Sequence, residues 1–144
     1  MSPQRQVDPQ ATAMTFDALV DHVRYEGAYT TRDQAERAVR QVPAGLGRPL
    51  TGDERVALAA RLPVEAALEF TAQIPRADPL TGLAFVSDLA ARTGTTPAAA
   101  RWDTGTVFAV LRRLTGEDLV SRILAHLPGG YALLFGRAEL APSR

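Results

Sequence analysis

Apolar residues recur along the chain at the spacing of α-helices. Near the start, four apolar residues fall at i, i+3, i+4 and i+7: Phe16, Leu19, Val20 and Val23. This spacing places them on one helix face. No stretch of the sequence shows the strict alternation of apolar and polar residues that a half-buried strand needs. The pattern therefore predicts an all-α fold in which each helix buries one side.

The pattern of residues 51–70 returns in residues 115–135. Both stretches begin with Thr-Gly and an acidic residue, run through an apolar stripe, meet a Leu-Pro pair and end at a phenylalanine. Repetition at a fixed spacing indicates an internal duplication. We therefore predict eight helices in two pseudo-equivalent four-helix half-repeats, residues 15–73 and 81–140, joined by a connector at residues 74–80.

A half-repeat of about 60 residues has only a marginal hydrophobic core of its own. We therefore expect the two halves to share one core, so that residues 15–140 form a single all-helical domain. Aligning the halves places Ala35 on Trp102. Residues 1–14 are rich in proline, glutamine and alanine and carry no periodicity, which is typical of a flexible tail.

Several helix boundaries can be predicted from local signals. The pattern Thr-x-x-Glu at Thr51 predicts a capping box, and Thr-x-x-Asp at Thr115 predicts a weaker one. The pair Asp78-Pro79 is expected to start the fifth helix, whose apolar stripe would begin at Leu83. Pro43 lies inside the second helical stripe, and we expect it to kink or shorten that helix.

Composition and charge narrow the classes of function. The chain has 16 Lys+Arg and 16 Asp+Glu, and this balance argues against a nucleic-acid or anionic-membrane binder, for which a basic surface is typical. All the basic residues are arginine, which together with abundant alanine, glycine and proline fits a GC-rich bacterial genome. No cysteine, no signal peptide and no long apolar run is present, so a cytoplasmic location is expected.

Residues that could carry catalysis or bind a metal are few. The two histidines, His22 and His126, are too few for a three-histidine site, and each is better interpreted as part of a polar helix face. The arginines of the second half lie near Asp103, Glu117 and Asp118 in sequence, which favours a network of ion pairs over a phosphate site. We expect no catalytic residue, no metal and no cofactor.

The aromatic residues are the best candidates for an interaction surface. Tyr25 and Tyr29 flank the end of the first helix, and Trp102 is the only tryptophan. Tyr and Trp are enriched at protein interfaces, where one end of the side chain is apolar and the other is polar. Alternatively, Trp102 fills the core opposite the small Ala35, which we favour for that residue, and the tyrosines pack over a loop.

The repeated order of motifs resembles a known family. It consists of Phe-x-x-Leu-Val-x-x-Val, a glycine, an Ala-rich helix, Thr-Gly-Asp/Glu and an Arg-Leu-Pro or His-Leu-Pro corner, over residues 15–140. This resembles a family of uncharacterised bacterial domains, common in actinobacteria and proteobacteria, built from two such half-repeats. The resemblance implies a small all-helical cytoplasmic domain and implies no activity, cofactor or catalytic residue.

Two hypotheses of function follow from the amphipathic, repeated helices. The leading one is a non-catalytic interaction or scaffold module that binds an unknown protein partner or itself, without nucleic acid or membrane. The alternative is a carrier of an apolar small molecule in the seam between the two halves. An enzyme would need convergent polar groups in a cleft, and no motif predicts them.

Overall fold

A computed structural model describes residues 14–137 of the chain. Within these residues there are eight α-helices and no strand, which confirms the predicted all-α fold. The helices are α1 (Phe16–Gly27), α2 (Arg32–Leu46), α3 (Gly52–Arg61), α4 (Val64–Thr71), α5 (Gly82–Thr93), α6 (Pro97–Thr115), α7 (Glu117–His126) and α8 (Tyr131–Leu134). In this part of the chain, no helix combines the length and apolar character needed to cross a membrane.

Threonine side chains cap four of the helices. At α1, α5 and α6 the threonine before the helix accepts a hydrogen bond from the backbone N–H three residues later, at 3.1–3.2 Å: Thr15, Thr81 and Thr96. Thr31 makes the same bond to Gln34, whose side chain accepts from the Thr31 N–H at 3.2 Å, so α2 begins with a complete capping box. Such caps satisfy backbone donors that have no partner within the helix.

The helices pack around one hydrophobic core to which every one of them contributes. α6 lies at its centre and contacts α1, α2, α3, α5, α7 and α8. An aromatic cluster fills the second half of the core, where Phe108 stacks on Phe135 with ring centroids 4.1 Å apart and Phe85 meets Tyr131 edge to face at 5.6 Å. The clustering of aromatic rings is favourable beyond the area that they bury.

The predicted start of the fifth helix at Asp78-Pro79 is wrong. The helix begins at Gly82 after Thr81, because the Gly82 N–H donates to the carbonyl of Gly129 at 2.8 Å and this contact fixes the chain before the helix. Three residues of the predicted apolar stripe, Val86, Leu89 and Ala90, are buried as expected, and only its first residue differs. Leu83 is 80% exposed, and Phe85, which was not predicted in the core, is buried.

The two predicted capping boxes at Thr51 and Thr115 are also wrong. Thr51 precedes α3 but makes no side-chain capping bond, because Gly52 has a φ of +74° and turns the chain away from the geometry of the box. Thr115 is the last residue of α6, and its hydroxyl donates to the carbonyl of Leu111 at 2.9 Å. A single residue, Gly116, separates α6 from α7.

Pro43 does not shorten its helix, so that part of the prediction is wrong, and a kink at Pro43 stays a prediction. α2 continues to Leu46, and Pro43 itself is buried. The missing N–H of the proline removes one helical hydrogen bond, and the burial of its ring offsets part of that loss. Two predicted segments lie outside the described residues: the end of the domain at residues 138–140 and the tail at residues 1–14, except for its last residue. That residue, Met14, packs against the core.

Candidate functional site

Trp102 lies on the second turn of α6 and is 57% exposed. The interpretation that it fills the core opposite Ala35 is wrong. Ala100 takes the core position and is fully buried, and a residue two positions further along a helix points about 200° away. A large aromatic side chain therefore faces outward from the helix at the centre of the fold.

The orientation of the Trp102 indole is fixed by a hydrogen bond. Its Nε1–H donates to the carbonyl of Gly27, the last residue of α1, at 3.1 Å. A side chain at Gly27 would not fit, because a Cβ there would lie 2.4 Å from the Tyr29 ring and 2.9 Å from the methyl group of Thr106. Tyr29 and Thr106 therefore pack closely on the end of α1, and the N–H of the indole is satisfied while its ring stays exposed.

Tyr29 connects the loop after α1 to the same turn of α6. Its hydroxyl donates to Asp103 Oδ1 at 2.6 Å. Burial, with the neighbouring carboxylate adding to it, raises the pKa of Tyr29 above its ordinary value. Burial also raises the pKa of Asp103, although the bond from Tyr29 and the charge of Arg37 act in the opposite direction. Tyr29 is therefore part of a half-buried polar contact, while Trp102 beside it is exposed.

A cleft of about 660 Å³ opens where these residues meet. It lies between the loop that follows α1 and the loop that follows α5, so both predicted halves line it. Charged and polar side chains from α2 and α6 line much of its wall: Arg37, Gln41, Trp102 and Asp103. The cleft brings Tyr29 and Trp102 together. Sequence reasoning did not single out Arg37 or Gln41, because nothing local marks a contact between α2 and α6.

Tyr25 does not line this cleft. It projects from the last turn of α1 and is 89% exposed, so the interpretation that it packs over a loop is wrong for this residue. The next residue, Glu26, lines a neighbouring recess together with Trp102 and Arg101. Within residues 14–137, the Arg101 side chain makes no hydrogen bond or ion pair, and the residue is exposed. The surface around Trp102 thus combines one exposed aromatic side chain with an unpaired guanidinium.

The other arginines of the second half form ion pairs, as predicted for Glu117 and Asp118. Arg112 contacts Glu117 at 2.7 Å and Arg122 contacts Asp118 at 3.9 Å, while Arg113 reaches Glu26 on α1 at 2.8 Å. Asp103 was expected in this network but binds Tyr29 instead.

The histidines and carboxylates do not gather into a metal site within residues 14–137, where no group of three or more potential ligands is found. His22 is exposed on α1. His126, at the end of α7, contacts Glu54 on α3 at 3.2 Å. The Glu54 side chain is only 11% exposed, so this contact joins the two helices through a nearly buried carboxylate.

Comparison with known proteins identifies the family of the chain. None of the curated proteins matches it. A family model described as "Uncharacterized conserved protein (DUF2267)" matches residues 16–134, which includes all eight helices. The match covers most of the chain and both sides of the Trp102 cleft. The chain therefore belongs to the DUF2267 family of uncharacterized conserved proteins.

Proposed function

We propose that this protein is a non-catalytic interaction module of the bacterial cytoplasm that binds a protein partner through the surface around Trp102. This surface, the Trp102 face, consists of Tyr29, Arg101 and Trp102. The observation that carries the proposal is a tryptophan that is 57% exposed and yet held in one orientation by its bond to Gly27.

A fixed, exposed tryptophan suits binding for two physical reasons. Tryptophan, tyrosine and arginine dominate the residues whose loss most weakens protein interfaces. A side chain that is already immobilised loses little conformational entropy when a partner covers it. In Trp102 the polar N–H is satisfied within the protein, so a partner can bury the ring without leaving an unpaired donor.

The alternative function is a carrier of an apolar small molecule in the seam between the halves. The cleft at that seam is lined by Arg37, Gln41 and Asp103, and contact with an apolar ligand would require these polar groups to lose water. This chemistry favours a protein partner with polar groups of its own over an apolar cargo.

We also propose that the domain consists of two four-helix half-repeats. The helix caps support this, since Thr15 and Thr31 recur as Thr81 and Thr96 at nearly the same spacing, and each opens a helix. Aligning the two halves on these threonines replaces the earlier alignment, which placed Ala35 opposite Trp102. It pairs Ala35 with Ala100, and both are fully buried. The Trp102 cleft would then lie between two equivalent helix corners.

The test uses the single tryptophan as a reporter. Wild-type protein, Trp102→Ala and Leu68→Ala are used to isolate partners from extracts of the native cells. Leu68 is a matched control because it is 64% exposed on α4 and does not line the Trp102 cleft. We expect wild type and the Leu68 variant to retain one stoichiometric partner that the Trp102 variant loses. Adding the purified partner should shift the tryptophan emission of the wild-type protein.

Sedimentation of the purified protein tests whether the partner is a second copy. Concentration-dependent dimers that disappear in Trp102→Ala would identify self-association through the Trp102 face. A partner retained equally by all three proteins, with no change in tryptophan emission, would contradict the proposed face. A protein that recovers no partner and stays monomeric at high concentration would contradict the interaction module itself.

A further inference from the structure

An apolar groove of about 440 Å³ adjoins the Trp102 face. Three elements surround it: the start of α5, the start of α6, and α8. Ala98 and Arg101 line both this groove and the recess beside Trp102, so the two surfaces are continuous across α6. The remaining lining residues are mostly apolar: Gly82, Leu83, Val86, Ser87, Pro97, Gly130, Leu133 and Leu134.

Two leucines on the groove are exposed to solvent. Leu83 is 80% exposed and Leu133 is 55% exposed, and they come from α5 and α8, the two sides of the groove. Covering an aliphatic side chain of this size is favourable by roughly 1.5–3 kcal/mol. Large apolar side chains gathered around a concave surface are typical of a binding site, in contrast to scattered exposed leucines.

The base of the groove is fixed by backbone contacts, so the groove exists before anything binds. The Gly82 N–H donates to the carbonyl of Gly129 at 2.8 Å, and the Tyr131 hydroxyl donates to the carbonyl of Leu80 at 2.9 Å. A Cβ at Gly82 would lie 2.5 Å from the carbonyl carbon of Gly130, which shows how closely the two backbones approach. A preformed groove needs no rearrangement to accept a partner.

Arg101 gives the groove a charge preference. It is the only charged residue that lines the groove, and it has no ion pair or hydrogen bond to any residue that the structure describes. A carboxylate on the occupant would pair with this guanidinium while aliphatic side chains covered the leucines. In a symmetric dimer built on this surface, each copy would instead bring its own Arg101 into the same interface, where like charges repel.

We propose that the groove binds an amphipathic segment of the protein partner, one that carries aliphatic side chains next to a glutamate or aspartate. The aliphatic side chains cover Leu83 and Leu133, and the carboxylate pairs with Arg101. Because the groove is continuous with the Trp102 face, one partner contacts both. This proposal rests on the proposed function and specifies the chemistry of the partner.

The experiment selects binders from a phage-displayed library of random peptides. Wild-type protein is compared with Arg101→Glu, Leu133→Ser and the control Leu68→Ser, whose leucine is 64% exposed on another helix. We expect wild type and the control to select peptides that combine aliphatic residues with Glu or Asp. Arg101→Glu should select basic peptides instead. For one synthesised acidic peptide, Leu133→Ser or Arg101→Glu should raise Kd by about tenfold or more.

The outcomes separate this proposal from the proposed function. Some peptides could require Trp102 and still bind Arg101→Glu and Leu133→Ser with the affinity of the wild type. Such peptides would overturn the groove proposal and leave the Trp102 face supported. A library that yields no binder also overturns it. Dimers lost in Leu133→Ser would assign the groove to a second copy, and a truncation after Arg137 that raises peptide affinity would assign it to the chain's own last residues. Either result overturns the proposal.

Discussion

The Tyr29 hydroxyl and the Asp103 carboxylate lie 2.6 Å apart, and this hydrogen bond ties the corner between α1 and α2 to α6. The two residues are 74 positions apart in the chain. The bond forms one wall of the Trp102 cleft and, together with the bond from Trp102 to Gly27, fixes how the end of α1 sits on α6. The geometry of the proposed binding face therefore depends on a long-range polar contact as well as on the core.

Tyr29→Phe should reduce the free energy of unfolding by about 1–3 kcal/mol, because it leaves the half-buried carboxylate of Asp103 without its donor. Tyr25→Phe is the matched control, since that side chain is 89% exposed and should tolerate the change. Denaturant unfolding of both variants measures the difference. Equal stabilities for the two variants would show that the Tyr29 bond contributes nothing.

Alkaline pH should destabilise the fold. Burial raises the pKa of Tyr29 and of Tyr131 above the ordinary value of 10.0, so the folded protein holds both phenol protons more tightly than the unfolded chain does. This contribution to stability is fully present below pH 10.0 and is lost as the pH rises through the folded-state values. Thermal unfolding followed across this range should show a falling midpoint. The double variant Y29F/Y131F should show a weaker decline, and an identical decline would contradict this origin.

His126→Ala should destabilise the protein by up to about 1 kcal/mol, because the nearly buried Glu54 carboxylate loses the ion pair with a half-exposed histidine. Among residues 14–137, His126 is the only side chain that pairs with Glu54. The other histidine supplies the control, since His22 is exposed on α1 and His22→Ala should have little effect. Stability restored by adding Glu54→Gln to His126→Ala would identify the unpaired charge as the cause.

Gly82→Ala should cost about 1–3 kcal/mol, because the new methyl group would overlap the backbone of Gly130, which cannot move without disturbing α8. Gly129→Ala is a control at the other side of the same contact, where a Cβ meets nothing within 4 Å. Calorimetry of the two variants should give a clearly lower melting temperature for Gly82→Ala alone. Similar melting temperatures would mean that the two backbones can separate at little cost.

Local signals predicted the helices well where threonine precedes an apolar stripe, as at Thr15 and Thr96. They failed at Thr51 and Thr115, because a capping box also depends on the backbone angles of the next residue, and glycine follows both threonines. At Asp78-Pro79 they failed because a tertiary contact, from Gly82 to Gly129, sets where the helix begins.

The candidate site was only partly predictable. The residue types were sufficient to single out Tyr25, Tyr29 and Trp102 as interface candidates. The outward direction of Trp102 was missed, because aligning it with Ala35 hid the fact that Ala100 takes the buried position. Its partners, Gly27 for the indole and Asp103 for Tyr29, are contacts between distant helices, and no local pattern in the chain indicates them.

The central place of α6 affects how the protein can fold during synthesis. Helices α1 to α4 are synthesised before residues 97–115, and α6 is the helix on which α1, α2 and α3 all pack. These helices also pack on one another, but until α6 emerges the apolar surface that it covers stays open to chaperones or to neighbouring chains. A pause in translation before α6 has left the ribosome would prolong that exposure, whereas the same pause after α6 has emerged would come when the nascent chain already has its central helix.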